Sequence, residues 1–274
     1  MKKILLLATI LLFVLFVNTS CSRSVNVTTA GTLSSLLTRE EYTTITNLTI
    51  TGNIDTRDFK FLRDKMTKLT VLNIKEATIQ AYNGTDGTST LTNSYPPNEI
   101  PDFAFSWLNG KGKETLTSIV LPDFTRSIGN SAFGSCYGLT SITIPNPVKL
   151  IGFGAFCCCS GLTSVTIGNS VTSIGDEAFS LCKLTSIELP NSITIIGYGA
   201  FSGCFQLTSI YSYATTPPVL SSVYSSVNID VYSSVNKNAC TLHVPAGSKA
   251  AYQAADQWGD FYIVEMDPSK NATH

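Results

Sequence analysis

Five times between Leu116 and Leu207 the chain restarts the same phrase, L-T-S-I-x-I-P-x-x-V-x-x-I-G-x-x-A-F-x-x-C, at Leu116, Leu139, Leu162, Leu184 and Leu207. The steps are 23, 23, 22 and 23 residues, and the short one falls where Ser180-Leu181-Cys182-Lys183 lacks the glycine present as Gly138 and Gly161. A fixed period in the twenties specifies a solenoid: one unit cannot bury its apolar edge alone, so the units stack and share a continuous core. A stack has no single cleft built into it. It offers a long surface, and that directs the search for function toward binding.

Within a unit, Leu139-Thr140-Ser141-Ile142-Thr143-Ile144 alternates with period two and reads as a short strand, with Leu139, Ile142 and Ile144 inward and Thr140, Ser141 and Thr143 toward solvent. Pro145 ends it, because proline cannot donate to a ladder. Val148 and Ile151 return along the opposite wall, and Gly152 is expected to allow the next turn. Phe153 to Cys159 has room for little more than a turn of helix. Phe133, Phe156, Phe179 and Phe201 fall at one position per coil, which predicts a stacked aromatic spine. Cys136, Cys159, Cys182 and Cys204 likewise share a column and read as an inward ladder of small apolar residues with free thiols. Cys157 and Cys158 face Gly134, Ser135, Ser180 and Leu181 in neighbouring units, so neither has an in-register cysteine.

The pattern continues with distortion on both sides. Leu48-Thr49-Ile50 and Leu69 to Ile74 are strand starts, with a helix expected from Asp58 to Met66 between them. Residues 80 to 98 carry Asn83-Gly84, Asp86-Gly87 and Pro96-Pro97, turn signals that favour an insertion within one coil over a second, degenerate coil. Thr32 to Tyr42 reads as an amphipathic cap helix, Ser248 to Gln257 as a second helix with Ser248 near its start, and Trp258 as cap core. Residues 211 to 238 lack the repeat and read as a long irregular loop. The expected layout is a signal peptide at 1–20, an N-terminal cap at 21–46, a solenoid of six to eight right-handed coils within 47–210, and a C-terminal loop and cap at 211–274. The fold class is an α/β solenoid of the leucine-rich repeat kind, with its parallel sheet on the concave face.

Lys2-Lys3 followed by the apolar run Ile4 to Val17 has the form of an export signal, too short to span a bilayer. Asn18-Thr19-Ser20-Cys21 resembles a lipoprotein cleavage site, with Cys21 as the lipidated residue, which points to an outer-membrane lipoprotein on the cell surface or the periplasmic face. Removing the leader leaves 16 basic against 19 acidic residues, a balance that gives no support for nucleic-acid binding. With only His243 and His274 in the chain, no Cys/His spacing suits a metal, and no cofactor is implied.

The repeat unit resembles that of the BspA-like leucine-rich repeat proteins, exported proteins of anaerobic gut and oral bacteria. Five units match closely, and Val27 to Leu33 and Thr241 to Ser248 are similar to the family's ends. The resemblance implies the solenoid fold and, for function, a non-enzymatic, adhesin-like protein that recognises a host protein or cell surface. It supplies no catalytic residues and names no ligand. A glycan-binding accessory lipoprotein for nutrient capture is the alternative.

Candidate ligand-binding residues are of two kinds. Thr143, Thr166, Glu188 and Tyr211 belong to one solvent-facing column, in which Glu188 and Tyr211 break a run of hydroxyls; the rest of that ladder is explained equally by the sheet-stabilising effect of cross-strand threonines. Tyr82, Tyr95 and Trp107 lie in or beside the insertion. They either bind a ligand or fold back on the solenoid wall, and exposed coplanar rings would favour a glycan. Glu99, Asp102 and Asp123 are the carboxylates from which a glycosidase pair would have to come.

Overall fold

Every coil begins with a strand that lies parallel to the strand before it. In the computed structural model, which describes residues 21–221 and 231–267, ten such strands follow one another: Ser22–Val27, Asn47–Ile54, Val71–Asn73, Ser118–Val120, Ser141–Thr143, Ser164–Thr166, Ser186–Leu189, Ser209–Ser212, Thr241–Val244 and Tyr262–Glu265. They form one long face in three hydrogen-bonded stretches. A second parallel sheet makes the opposite wall from two-residue strands: Glu99–Ile100, Ser127–Ile128, Leu150–Ile151, Ser173–Ile174, Ile195–Ile196 and Val219–Leu220. Six coils therefore contribute to both walls. The chain is a leucine-rich repeat solenoid, and its helices are confined to the ends.

Side-chain alternation sorts the long face as the sequence predicts. Leu139, Ile142 and Ile144 are buried, while Thr140, Ser141 and Thr143 are exposed. Between the two sheets the aromatic spine runs Phe105, Phe133, Phe156, Phe179, Phe201, Tyr232, with neighbouring centroids 5.1 to 5.6 Å apart and planes within 21° of parallel. Stacked rings at this spacing add specific attraction to a large burial of apolar area.

The cysteine column is more than small apolar filling. Each thiol donates to the carbonyl of the phenylalanine one coil back: Cys136 to Phe105 (3.6 Å), Cys159 to Phe133 (3.0 Å), Cys182 to Phe156 (3.2 Å) and Cys204 to Phe179 (3.2 Å). All four are buried and free. Sulfur thus fills volume and adds a weak second donor to a carbonyl that already accepts a backbone N–H.

Two glycine assignments change. Gly152 does not make the turn; a Cβ there would lie 2.9 Å from the backbone nitrogen of Asn130 in the coil below, so this column needs glycine for close stacking. The left-handed residues sit further on, at Phe103, Ser131, Gly154, Glu177 and Gly199, and again at Ser135, Cys158, Leu181 and Gly203. Two such residues per coil replace the expected helical turn at Phe153–Cys159, because positive φ cannot continue a helix. Beside the glycine, Asp102, Asn130 and Asp176 accept the backbone N–H of Asn130, Phe153 and Tyr198 from the next coil (2.6, 2.9 and 2.8 Å).

At the N-terminal end the expected cap helix is broken. Leu33–Ser35 is a single 3-10 turn and Arg39–Thr44 a separate helix, because Thr38 caps the latter in a reciprocal box with Glu41. Ahead of them, Ser22–Val27 pairs residue for residue with Asn47–Gly52, a strand the sequence reading missed. The expected helix at Asp58 to Met66 is present as Thr56–Asp64. Val71–Asn73 pairs directly with Ser118–Val120, so residues between them form one coil carrying an extra hairpin, Tyr82–Asn83 with Ser94–Tyr95.

Residues 211 to 238 are not an irregular loop where they are described. Val219–Leu220 extends the second sheet and Tyr232 takes the spine position held elsewhere by phenylalanine, so this stretch is a sixth coil. At the C-terminal end Lys249–Ala254 is helical. The Ser248 hydroxyl donates to Pro245 rather than capping that helix. Trp258 is buried and its indole N–H donates to the Pro218 carbonyl. Residues 1–20, where a signal peptide is expected, lie outside the described residues.

Candidate functional site: a groove on the solvent face of the long sheet

The solvent face of the long sheet carries two kinds of hydroxyl. Thr117, Thr163 and Thr208 donate to the backbone carbonyls of Thr70, Thr140 and Thr185, one coil back, at 3.0, 3.3 and 3.2 Å. That column is occupied with holding coils together. Thr143 and Thr166, paired in register and exposed, line a groove of about 710 Å³ together with Ser164, Ser186 and Glu188.

The groove lies where the strands end and the chain turns away. Pro145, Gly168 and Pro190 form its floor edge, with Asn146 and Asn169 beside them. Proline stops the ladder at two of these positions. Glycine is required at the third, since a Cβ on Gly168 would lie 2.5 Å from the Pro145 carbonyl oxygen. The Asn146 side chain accepts the Asn169 N–H at 3.0 Å and so fixes the rim. Toward the N-terminal end the groove continues into a second hollow of about 430 Å³, which shares Asp123, Thr143 and Pro145 and reaches Lys75. Lys75 and Asp123 face each other at 3.7 Å, both well exposed, a pair of little energetic weight.

At the other end, Glu188 stands in register with Tyr211, and Tyr211 with His243. The Tyr211 and His243 rings stack at 4.4 Å and 8°, and partial burial lowers the imidazole's proton affinity below the usual histidine value. Tyr213 forms the ridge between the groove and a further hollow of about 520 Å³. Burial, and then the Glu188 carboxylate, push its phenol up. The groove lining holds two carboxylates, Asp123 and Glu188, and no basic side chain.

Of the residues singled out from sequence, the structure brings Thr143, Thr166 and Glu188 together in this groove and sets Tyr211 beside Glu188. Tyr82, Tyr95 and Trp107 are elsewhere and fold back. Tyr95 is 5% exposed, and its hydroxyl donates to the Ser89 carbonyl at 2.9 Å. Tyr82 lies under the Arg57 guanidinium, 4.5 Å from its ring centre. Trp107 donates its indole N–H to Asp64 at 3.0 Å, with Arg63 5.3 Å from its ring centre. The two tyrosine rings are tilted 35° to each other and form no flat platform.

Of the candidate carboxylates, Glu99 and Asp102 share one hollow and Asp123 lies apart from them. Glu99 accepts from Ser127 (2.7 Å) and Asp102 from Asn130, in a small hollow that also holds Tyr95, whereas Asp123 lines the groove. Burial raises the Glu99 carboxyl despite the Ser127 bond. Among the described residues no group of three or more His, Cys, Asp or Glu could hold a metal ion. Cys21 is exposed and immediately precedes the first strand, its carbonyl accepting the N–H of Thr46. Sequence reasoning missed Tyr213, His243 and the rim asparagines; the recurrence of Asn146, Asn169 and Asn191 after Pro145, Gly168 and Pro190 was the available signal.

No curated protein matches the sequence. Among solved structures, a leucine-rich cell surface protein from Faecalibacterium prausnitzii A2-165 is 23% identical over 81% of this chain and 57% of its own, with a TM-score of 0.44. A leucine-rich repeat protein from Bacteroides ovatus ATCC 8483 is 19% identical over 73% and 55%, with a TM-score of 0.35. The pneumococcal vaccine antigen PcpA is 14% identical over 81% and 80%, with a TM-score of 0.41. The chain spans little more than half the length of the first two. The family model described as "BspA type Leucine rich repeat region" matches residues 98–230 in six copies, in agreement with the six coils that build both walls. The repeat region of this chain belongs to the BspA-type leucine-rich repeat family.

Proposed function

We propose that this chain is an exported, surface-located binding protein of adhesin type, without enzymatic activity, that takes an extended segment of a partner protein into the groove beside Thr143, Thr166 and Glu188. The groove itself carries this reading. It crosses at least three coils and is lined by hydroxyls, amides and carboxylates. Its lining carries Glu188 and Asp123, the latter paired with Lys75 of the adjoining hollow, which favours a neutral or basic segment. The glycan alternative draws no support from Tyr82, Tyr95 and Trp107, whose rings are tied to Arg57, Ser89, Asp64 and Arg63. Attachment through a lipid on Cys21 is part of the same proposal, supported by the leader-like sequence before it and the exposure of that residue.

The test is an array of matrix proteins and glycans probed with the mature chain and with Thr166→Arg, which fills the groove from an exposed strand position. Binding to a protein that is lost in Thr166→Arg supports the reading. Protein binding that survives both Thr166→Arg and Glu188→Lys refutes the groove as the site. Binding only to glycans supports the alternative. Metabolic labelling with a radioactive fatty acid, lost in Cys21→Ala, tests the anchor separately.

A further inference from the structure

Cys157 and Cys158 differ from the four ladder thiols. Their sulfurs lie 3.4 Å apart, and both side chains are half-buried at the edge of a hollow of about 250 Å³ bordered by Trp107 and Leu108. Packing does not demand sulfur here, since the equivalent positions of adjacent coils are Gly134 and Ser180 for Cys157 and Ser135 and Leu181 for Cys158. The backbone around the pair is held from both sides. Cys158 has φ 61°, its N–H donates to the Ser180 carbonyl, and the Cys157 carbonyl accepts the Ser135 N–H, both at 2.8 Å. Neighbouring coils thus hold two adjacent thiols side by side at a partly open surface.

We propose that Cys157 and Cys158 form a reversible two-electron redox site, closing to a vicinal disulfide by exchange with an external disulfide. Deprotonated Cys158 attacks one sulfur of that disulfide, forming a mixed disulfide and expelling a thiolate. Cys157 then attacks the Cys158 sulfur, and the second thiolate leaves with the Cys157 proton. The net change oxidises two protein thiols to one disulfide and reduces the external disulfide to two thiols. Burial, and then the neighbouring Cys158 sulfur, push the Cys157 thiol up to about 12, which disfavours it as the first nucleophile. The ladder thiols take no part, because they are buried and held protonated.

The product belongs to the readily reduced class of disulfides. Adjacent Cα atoms across a trans peptide are about 3.8 Å apart. Ordinary disulfides span at least about 4.4 Å, so the small ring is strained and opens easily. Closure also alters the wall facing Trp107. The site is therefore built to follow the redox state of its surroundings rather than to staple the fold.

The test uses the full chain, reduced, then incubated with oxidised glutathione, alkylated and mapped by mass spectrometry. The expected result is a peptide carrying Cys157 and Cys158 that has lost two hydrogens, resists alkylation and recovers both thiols in dithiothreitol. Cys159→Ala must behave the same way, which excludes pairing with the ladder. Cys157→Ser, whose hydroxyl matches Ser180 in the next coil, should instead stop at a stable glutathione adduct on Cys158. Melting curves of the serine variant establish that it is folded. A stable glutathione adduct on the wild-type chain, a bridge to Cys159, or two thiols that remain freely alkylated overturns the proposal.

Discussion

The buried thiols give the fold a specific alkaline liability. Cys159 and Cys182 are pushed well above the ordinary thiol value of 9.0, and Cys204 to about 12, in each case mainly because burial disfavours the thiolate. For an acid whose folded value is raised, the native state keeps a proton that the unfolded chain gives up. Stability is then fully present below pH 9 and is lost as pH climbs from 9 toward 12. At pH 10 an unfolded thiol has gained about 1–2 kcal/mol from ionising, and these three, being still protonated, have gained almost nothing; Cys136, likewise raised to about 12, acts in the same direction in every variant. The three together remove about 4 kcal/mol relative to pH 7, a large share of the net stability of a typical domain.

The assay is urea unfolding at pH 7 and pH 10 under a non-thiol reductant, for the wild-type chain and for Cys159→Ala, Cys182→Ala and Cys204→Ala singly and combined. Each single variant should lose about 1–2 kcal/mol less between the two pH values than the wild type, and the triple variant about 4 kcal/mol less. Comparison across variants cancels groups they share, including Lys113, which titrates in the same range with opposite sign. Equal pH dependence in all the chains would show that these thiols are not held protonated in the core. The stacking of Cys159, Cys182 and Cys204 in one column would then be wrong.

Lys113 is buried, donates to the Met66 carbonyl at 2.7 Å, and is lowered by burial to about 8. Between pH 8 and 9 the native chain sheds this proton while the unfolded chain, near 10.5, keeps it. Stability should therefore rise by about 1 kcal/mol over that interval, and the rise should vanish in Lys113→Met. Arg63 donates from one nitrogen to the carbonyls of Thr88, Phe103 and Ser106, which pins the inserted hairpin to the solenoid. Arg63→Met should cost about 3 kcal/mol or more and open residues 84–93 to limited proteolysis; an unchanged digest would refute the pinning role. Gly152→Ala should destabilise by about 1–3 kcal/mol through contact with Asn130, whereas Glu177→Gly, relieving φ 55°, should be neutral or stabilise by up to about 1 kcal/mol, both read from melting curves.

What the sequence displayed and what it hid divide by length scale. Leu139, Ile142, Phe156 and Cys159 recur at a period long enough to be unambiguous, so the coil, its inward columns and the spine could be read directly. The second wall could not, because strands of two residues such as Leu150–Ile151 are too short for alternation to register. Ser22–Val27 escaped because only Val25 and Val27 of its six residues are buried. The sixth coil escaped because Tyr232 replaces phenylalanine and stands 31 residues after Phe201, well beyond the repeat's period.

The groove shows the same division in the candidate site. The column Thr143, Thr166, Glu188, Tyr211 was visible as a departure from a hydroxyl ladder, but nothing in that column says where the face is hollow. The hollow is made by the residues that follow each strand, with Pro145, Gly168 and Pro190 turning the backbone away at the same height in three coils. The aromatic candidates show the converse. Tyr82, Tyr95 and Trp107 have the composition of a ligand platform, and only partners 6 to 43 residues away, such as Ser89, Arg57 and Asp64, decide that they pack instead. In a solenoid the repeat dictates which side chains share a face. The loops between strands dictate which part of that face is concave enough to hold something, and loops are where the repeat is least strict. A binding site on such a fold is therefore best sought where a loop column is regular, as Asn146 and Asn169 are here, rather than where a single coil is decorated.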